Sequence, residues 1–81
     1  MIKKIKLKVK EKEIIKKSIS TEFIRLDSFL KLCDAVQSGG HAKIVIQDGE
    51  ILVNDEVCTM RGKKLHAGDK VEFNNKIYEI V

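Results

Sequence analysis

The sequence predicts a small α+β domain, and three observations carry this prediction. Apolar residues recur at helical spacing between Leu26 and Gln37, whereas apolar and basic residues near the N-terminus alternate with the period of a β-strand. Two polar pairs, Asn54-Asp55 and Asn74-Asn75, each separate short segments rich in β-branched residues, which is typical of hairpins. A chain of 81 residues forms one domain at most, so a single compact unit is expected.

Two strands are predicted in the N-terminal part of the chain. In "IKKIKLKVKEK" the apolar residues Ile5, Leu7 and Val9 alternate with lysines, which indicates a half-buried strand. "EKE" is a predicted turn, and "IIKKSIS" a second short strand. The row of lysines has two interpretations that the sequence leaves open. It protects a sheet edge from aggregation, or it forms a basic stripe along which nucleic acid can lie.

The first helix is predicted from about Leu26 to Gln37. Its apolar stripe comprises Leu26, Phe29, Leu30, Cys33 and Val36. Asp27 lies in the first turn, where a carboxylate suits the positive end of the helix dipole. Gly39 is the residue expected to end this helix in a left-handed conformation.

The segment "HAKIVIQDG" fits either a helix or a strand. Ala42, Val45 and Ile46, with a stop at Gly49, have helical spacing. "KIVI" is β-branched and also suits a strand, and Ile44 lies off the helical stripe. Periodicity alone does not decide between the two.

The remaining chain predicts strands. "ILVN" and "EVCT" flank Asn54-Asp55, a pair able to adopt positive φ, and "KVEF" and "KIYEIV" flank Asn74-Asn75. Between them lie a basic loop, "MRGKK", and a turn, "HAGD". The second hairpin places four apolar residues on one face: Val71, Phe73, Tyr78 and Ile80. The predicted order is therefore β-β-α-α-β-β-β-β.

Composition excludes several classes of protein. No uninterrupted apolar run exceeds three residues, which excludes a membrane span and a signal-peptide core. Cys33 and Cys58 are too few for a disulfide framework, so reduced thiols in a cytoplasmic protein are expected. Cys33–His41 and Cys58–His66 share one spacing, but there is no Cys-x2-Cys pair and Cys33 lies on the apolar stripe, so no metal or other cofactor is predicted. No nucleophile has an evident base beside it, which argues against an enzyme.

The charge of the chain is unevenly distributed. Residues 1–24 hold eight Lys and three Glu, a net charge of +5, whereas residues 25–81 hold eight basic and nine acidic residues, a net charge of −1. An anionic partner is plausible on this basis, but its binding needs local clusters of cations rather than a uniformly basic body.

Four fragments together resemble the S-four-type RNA-binding domain. They are "TEFIRL" before the first helix, "SGGHAK" at the start of the second, "GEILVNDE" entering the hairpin, and "RGKKL" with "GDKVEF" closing the domain. Within that family the chain is most similar to the stand-alone bacterial proteins of the YaaA/YbcJ-like group. The resemblance covers residues 21–73, so we expect an RNA-binding domain over residues 21–81 and an N-terminal strand or hairpin extension over residues 1–20.

The resemblance implies two short helices packed on a small antiparallel sheet, the αL RNA-binding motif, and thereby favours a helix for "HAKIVIQDG". It also implies a non-catalytic protein that binds structured RNA, with ribosomal RNA as the expected partner. Two departures stand out. Gly39-Gly40 occupy the place where many members have an Arg, and Asn54-Asp55 replaces the usual Asn-Gly turn. The second is tolerable because Asp adopts left-handed geometry more easily than most residues.

The predicted RNA-binding residues combine glycines at a helix start with nearby cations. They are Arg25, Gly39, Gly40, His41, Lys43, Arg61, Lys63 and Lys64. The first amides of a helix beginning near Gly40 would point at a phosphate, which glycine allows to approach closely. The alternatives are that the two glycines only form a tight turn between helices, that Arg25 only pairs with Asp27 or Glu22, and that the basic loop is merely solvated.

The aromatic residues favour recognition of RNA shape and backbone over base stacking. The chain has four of them, Phe23, Phe29, Phe73 and Tyr78, and the last three are assigned to the core. A protein-interaction module that docks a partner through its sheet edge or its Lys-rich strand is the alternative function. The sequence does not determine the oligomeric state.

Overall fold

The computed structural model of the protein describes residues 12–81, which contain two helices and seven short strands. The helices are α1 (Leu26–Leu32) and α2 (Gly39–Gln47). The strands are β1 (Glu13–Lys17), β2 (Ile24–Arg25), β3 (Leu52–Val53), β4 (Glu56–Val57), β5 (Lys64–Leu65), β6 (Lys70–Phe73) and β7 (Lys76–Ile80). The first strand predicted from the alternating lysines, and most of the predicted extension over residues 1–20, lie outside the described residues.

Five of the strands form one sheet in the order β1-β7-β6-β3-β4, and β2 pairs with β5 in a separate ribbon. Neighbouring strands of the larger sheet are antiparallel, except that β1 lies parallel to β7. The sheet is therefore mixed rather than purely antiparallel. The parallel pairing is possible because the whole domain serves as the long connection that parallel strands require. The second predicted strand, "IIKKSIS", corresponds to β1, which begins earlier, at Glu13, inside the predicted "EKE" turn.

Both predicted hairpins are present. Asn54 and Asp55 have φ angles of 51° and 73°, and Asn74 and Asn75 have φ angles of 59° and 67°. Two central residues with positive φ make the turn whose twist matches that of the flanking strands, which explains the Asn and Asp residues there. The β6–β7 hairpin aligns Val71 with Tyr78 on the core side, as the alternation predicts.

The core lies between the two helices and the larger sheet. Fully enclosed side chains come from both helices, from the strands and from the residue just before β3. They include Phe29, Leu30, Ile46, Ile51, Val71 and Ile80. Ala42, Val45 and Ile46 form the buried side of α2, whereas Ile44 is exposed, so the helical interpretation of "HAKIVIQDG" is correct. The helix ends at Gln47, and Gly49, which follows the C-cap residue Asp48, has a φ of 77°.

Helix α1 is shorter than predicted. It ends at Leu32, and Asp34, with a φ of 57°, adopts the left-handed conformation expected of Gly39. The Ala35 amide donates to the Leu30 carbonyl at 2.9 Å, and the Asp34 amide donates to the Lys31 carbonyl at 3.0 Å. This pattern is a Schellman motif, which satisfies the free carbonyls at the helix end. Val36, although outside the helix, is still buried.

A cluster of polar side chains joins the β3–β4 turn to the turn before β6. The Asn54 side chain donates to Asp69 Oδ1 at 3.1 Å and accepts from the Lys70 amide at 3.0 Å. Burial alone would raise the pKa of Asp69, but hydrogen bonds from the His66 amide and Asn54, together with the charges of His66 and Lys63, lower it overall. The folded state therefore favours the ionised, carboxylate form of Asp69.

Within residues 12–81, neither helix has the length and apolar character needed to cross a bilayer.

Candidate nucleic-acid interface

The β2–β5 ribbon separates an apolar side from a basic side. Ile24 pairs with Leu65 and Arg25 with Lys64. Leu65 is fully buried and Ile24 packs against the core, whereas Arg25 and Lys64 are exposed. Side chains alternate between the two faces of a strand, so the apolar pair anchors the ribbon while the basic pair faces solvent.

Two more side chains extend the basic side of the ribbon. Phe23 lies two residues before Arg25, and His66 lies two residues after Lys64, so each continues the outward-facing positions. The Lys64 Nζ atom lies 4.8 Å from the centroid of the Phe23 ring, and the rings of Phe23 and His66 are 6.2 Å apart at an angle of 53°. We call the four exposed side chains Phe23, Arg25, Lys64 and His66 the outer ribbon face.

The loop before β5 is tied to the start of α1. The Leu26 amide donates to the Lys63 carbonyl at 2.8 Å, and the Asp27 amide donates to the Arg61 carbonyl at 3.1 Å. Two of the amides at the N-terminus of α1 are thus already hydrogen-bonded to backbone carbonyls, so this helix end is a poor site for an anion. The side chains of Arg61, Lys63 and Lys64 nevertheless remain exposed on a backbone that these hydrogen bonds hold in place.

Arg25 pairs with Asp27, one of its two expected partners. Its Nε and Nη2 atoms donate to the two carboxylate oxygens, each at 3.2 Å. The guanidinium lies beside Gly62, since a Cβ built there would be 3.7 Å from Arg25 Nη2. The Arg25 side chain is 53% exposed. An exposed ion pair contributes about 0–1 kcal/mol, so Arg25 can exchange this carboxylate for a phosphate at little cost.

The N-terminus of α2 remains open. Ser38 is the N-cap, and its Oγ accepts from the His41 amide at 3.1 Å, while its carbonyl accepts from the Ala42 amide at 3.0 Å. The amides of Gly39 and Gly40 have no acceptor among residues 12–81, and both glycines are exposed. Two unpaired amides at the positive end of the helix dipole can receive an anion.

The two glycines do not form the turn between the helices, because they are the first two residues of α2. Neither has the left-handed φ found at Gly49 and Gly68. A Cβ at Gly39 would meet nothing within 4 Å, and a Cβ at Gly40 would meet only Ser38 Oγ, at 3.9 Å. The fold thus accommodates a side chain at both positions, and the tight-turn explanation is wrong.

The Cys33 thiol is partly buried, and burial changes its acidity. Burial, with a smaller contribution from Asp34, raises the pKa of the Cys33 thiol to about 11 despite the opposing charge of Lys17. The thiol is therefore protonated near neutral pH and is a weak nucleophile. Across residues 12–81, no three His, Cys, Asp or Glu side chains come together in a way that could hold a metal ion.

Comparison with known proteins identifies the family. The family model of the S4 domain matches residues 17–81, which is most of the chain. This chain belongs to the S4 domain family. The probable ribosome maturation protein RlbA of Bacillus subtilis (strain 168) is 56% identical to it over 56 residues, which cover 69% of this chain and 79% of that protein.

A solved structure supports the same assignment. YbcJ from E. coli, whose solution structure contains an ALFAL motif involved in RNA-binding, superimposes on this chain with a TM-score of 0.61 and is 25% identical to it. The match covers 98% of this chain and 99% of that one. The predicted resemblance to the YbcJ-like group and the predicted α+β fold are thereby confirmed.

In this S4 domain the sequence-predicted residues fall into two groups. Arg25, Arg61, Lys63 and Lys64 come together beside the start of α1. Gly39, Gly40, His41 and Lys43 lie exposed in the first turns of α2. The loop of cations is hydrogen-bonded to the N-terminus of α1, whereas the double glycine begins α2.

Two side chains of the outer ribbon face in this S4 domain, Phe23 and His66, are not among the residues that the sequence predicts to bind RNA. Each is part of a three-residue alternation, "FIR" or "KLH", that is too short to indicate a strand. Their proximity depends on pairing between segments about forty residues apart, which no local pattern reveals.

Proposed function

We propose that this S4 domain is a non-catalytic protein that binds structured RNA, with ribosomal RNA as its target, through phosphate and shape contacts. The observation that carries the proposal is the group of exposed cations, Arg25, Arg61, Lys63 and Lys64, presented on a backbone that is hydrogen-bonded to α1. Of the cations in this group, Arg25 alone has an ion-pair partner among residues 12–81. The RNA-binding motif of YbcJ and the ribosome-maturation name of RlbA support the choice of partner.

The open N-terminus of α2 serves as a second phosphate contact in this proposal. The amides of Gly39 and Gly40 would donate to phosphate oxygens, and Lys43 would add a full charge one turn further along. The ring of His41 accepts from the Gln37 amide through Nδ1 at 3.5 Å. The other ring nitrogen, Nε2, can then form a hydrogen bond with RNA.

The distribution of aromatic side chains favours folded RNA over long single strands. Phe29 and Tyr78 are buried and Phe73 is half-buried, so Phe23 alone of the four aromatic residues is exposed. Proteins that bind single strands stack successive bases on several aromatic rings. Contacts to the phosphates and 2′-hydroxyls of folded RNA therefore suit this surface better.

Salt dependence tests the proposal. We expect the full chain to bind a folded ribosomal RNA fragment with an affinity that falls steeply with salt, with a log–log slope of about −3 to −5 for four to six neutralised phosphates. A single strand of equal length serves as the control and should bind more weakly. Absence of binding, or an affinity that hardly changes between low and physiological salt, would contradict RNA binding through this surface.

One observation favours a second function, the docking of a protein partner along β1. This strand forms one edge of the described sheet, and Ile14 on it is 60% exposed. Strand addition at such an edge is a common mode of peptide recognition. A partner that co-purifies after nuclease treatment, and that the Ile14→Lys variant no longer retains, would support this function.

A further inference from the structure

We propose that the outer ribbon face binds one unpaired nucleotide of the RNA, whose base stacks on Phe23. This inference rests on the proposed function and adds the kind of RNA that the site takes, a helix carrying a bulged base. It departs from the sequence-based expectation that this protein contacts RNA through its phosphates and shape alone.

The exposure of Phe23 has no explanation in the packing of the core. Its side chain is 39% exposed and is absent from the apolar cluster that includes its neighbour Ile24. The alternation of β2 turns Phe23 outward, to the same side as Arg25. A flat apolar ring among cationic side chains matches the composition of a nucleotide, which combines a flat base with an anionic phosphate.

The groups around the ring can recognise both parts of that nucleotide. The Lys64 ammonium lies over one face of the Phe23 ring, 4.8 Å from its centroid. When its flexible side chain swings off the ring to contact a phosphate, that face becomes available to the base. Arg25, paired with Lys64 across the ribbon, provides a planar guanidinium for a second phosphate oxygen. The His66 ring, tilted by 53° to Phe23, borders the site and can donate a hydrogen bond to the base edge.

The backbone holds Phe23 in a defined position before any ligand binds. The Thr21 hydroxyl donates to the Phe23 carbonyl at 2.7 Å, and the pairing of Ile24 with the buried Leu65 fixes the next residue. On the opposite strand, the His66 amide donates to Asp69 Oδ2 at 2.7 Å. A preorganised ring loses little conformational freedom on binding, so stacking on it contributes more to affinity.

Two blunt-ended RNA duplexes of the same sequence, one with a single bulged adenosine, test this inference. We expect the wild-type chain to bind the bulged duplex about 5- to 150-fold more tightly, the fold-change that corresponds to stacking of one base on an aromatic ring. The Phe23→Leu variant should lose this preference while it binds the fully paired duplex as the wild type does. The Phe23→Tyr variant, which keeps the ring, should retain it.

A spectroscopic variant gives a readout that does not depend on affinity differences. The chain has no Trp, so Phe23→Trp introduces a single indole whose fluorescence should be quenched by the bulged duplex and much less by the paired one. If the Phe23→Leu variant fails to fold, this measurement still shows whether a base stacks at position 23.

The outcomes separate this inference from the proposed function. Equal, salt-dependent binding of both duplexes by the wild type, with no selective quenching, overturns the stacking site and leaves RNA binding intact. Failure to bind either duplex at any salt concentration overturns the proposed function, and the stacking site with it.

Discussion

The amide of Leu26, the first residue of α1, donates a 2.8 Å hydrogen bond to the carbonyl of Lys63 in the cationic loop. The bond satisfies a helix-start amide and fixes the loop from its backbone, so the loop's conformation does not depend on its side chains. The side chains of Arg61, Lys63 and Lys64 are therefore free to contact a ligand, and they can be removed without unfolding the loop.

The first prediction concerns these three cations. The variant in which Arg61, Lys63 and Lys64 are all Ala should bind folded RNA roughly 10- to 100-fold more weakly near physiological salt, and its salt slope should be shallower by about 2 to 3. Filter binding or fluorescence anisotropy across a salt series measures both quantities. Circular dichroism and thermal melting should show an unchanged fold, because backbone hydrogen bonds hold the loop.

A matched control removes the same charge elsewhere. Lys16, Lys70 and Lys76 are exposed residues of β1, β6 and β7, and their triple Ala variant has the same net charge as the loop variant. Its affinity for RNA should fall much less. Equal losses in the two variants would indicate attraction by overall charge alone and would contradict a binding site at the loop.

The second prediction is that substitutions of Gly39, at the start of α2, change the stability of the fold and its affinity for RNA in different ways. Gly39→Ala should raise the free energy of unfolding by about 0.5–1 kcal/mol, because it removes the flexibility of glycine at an uncrowded helical position. Gly39→Glu should be at least as stable, since a carboxylate suits the helix N-terminus. Both free energies are measured by urea unfolding.

RNA affinity should respond to the same two variants in a different way. Gly39→Glu should bind RNA at least several-fold more weakly, because its carboxylate repels the phosphate that we place at the Gly39 and Gly40 amides. Gly39→Ala, which adds no charge, is the matched control and should lose much less affinity. If the Glu variant binds RNA as tightly as the Ala variant, no phosphate lies at this helix end.

The third prediction concerns the polar cluster around Asp69. Asp69→Ala leaves the His66 amide and the Asn54 side chain without their acceptor and should lower the free energy of unfolding by about 1–3 kcal/mol. Asp69→Asn keeps one acceptor oxygen but loses the charge, so it should be affected less. Chemical unfolding at neutral pH measures both changes.

The pH dependence follows from the lowered pKa of Asp69. The carboxylate stabilises the fold fully above the ordinary Asp pKa, near pH 4, and this contribution is lost as the pH falls through the lower pKa of the folded state. The stability difference between wild type and Asp69→Asn should thus persist from pH 5 to 7 and shrink below about pH 4. A difference that stays constant down to pH 2 would show that the charge of Asp69 does not contribute.

The parts of the fold that local chemistry determines could be predicted from the sequence. Asn54-Asp55 and Asn74-Asn75 accept positive φ, and Gly49 adopts a left-handed conformation just after the C-cap of α2. The hairpins and that helix end therefore follow from residue type. The apolar stripe correctly predicted which side chains of α1 are buried. The end of α1 could not be predicted, because Asp34 rather than a glycine takes the left-handed position of its Schellman motif.

The sequence indicated several residues of the candidate site, but it did not indicate how they lie relative to one another. The spacing of "RGKK" and "SGGHAK" indicated the cations and the helix start. Two-residue strands give no periodic signal, so the β2–β5 pairing that brings Lys64 beside Arg25 and Phe23 could not be inferred. For the same reason, the sequence could not show that the cationic loop is hydrogen-bonded to the start of α1.

The most direct test of RNA binding by this face is a titration of the ¹⁵N-labelled chain with a folded ribosomal RNA fragment, followed by amide chemical shifts. We predict that the largest changes fall in residues 23–25, 39–43 and 61–66, and that residues 13–17 and 76–80 change little. Changes concentrated on β1 and β7, or no changes at saturating RNA, would contradict the account.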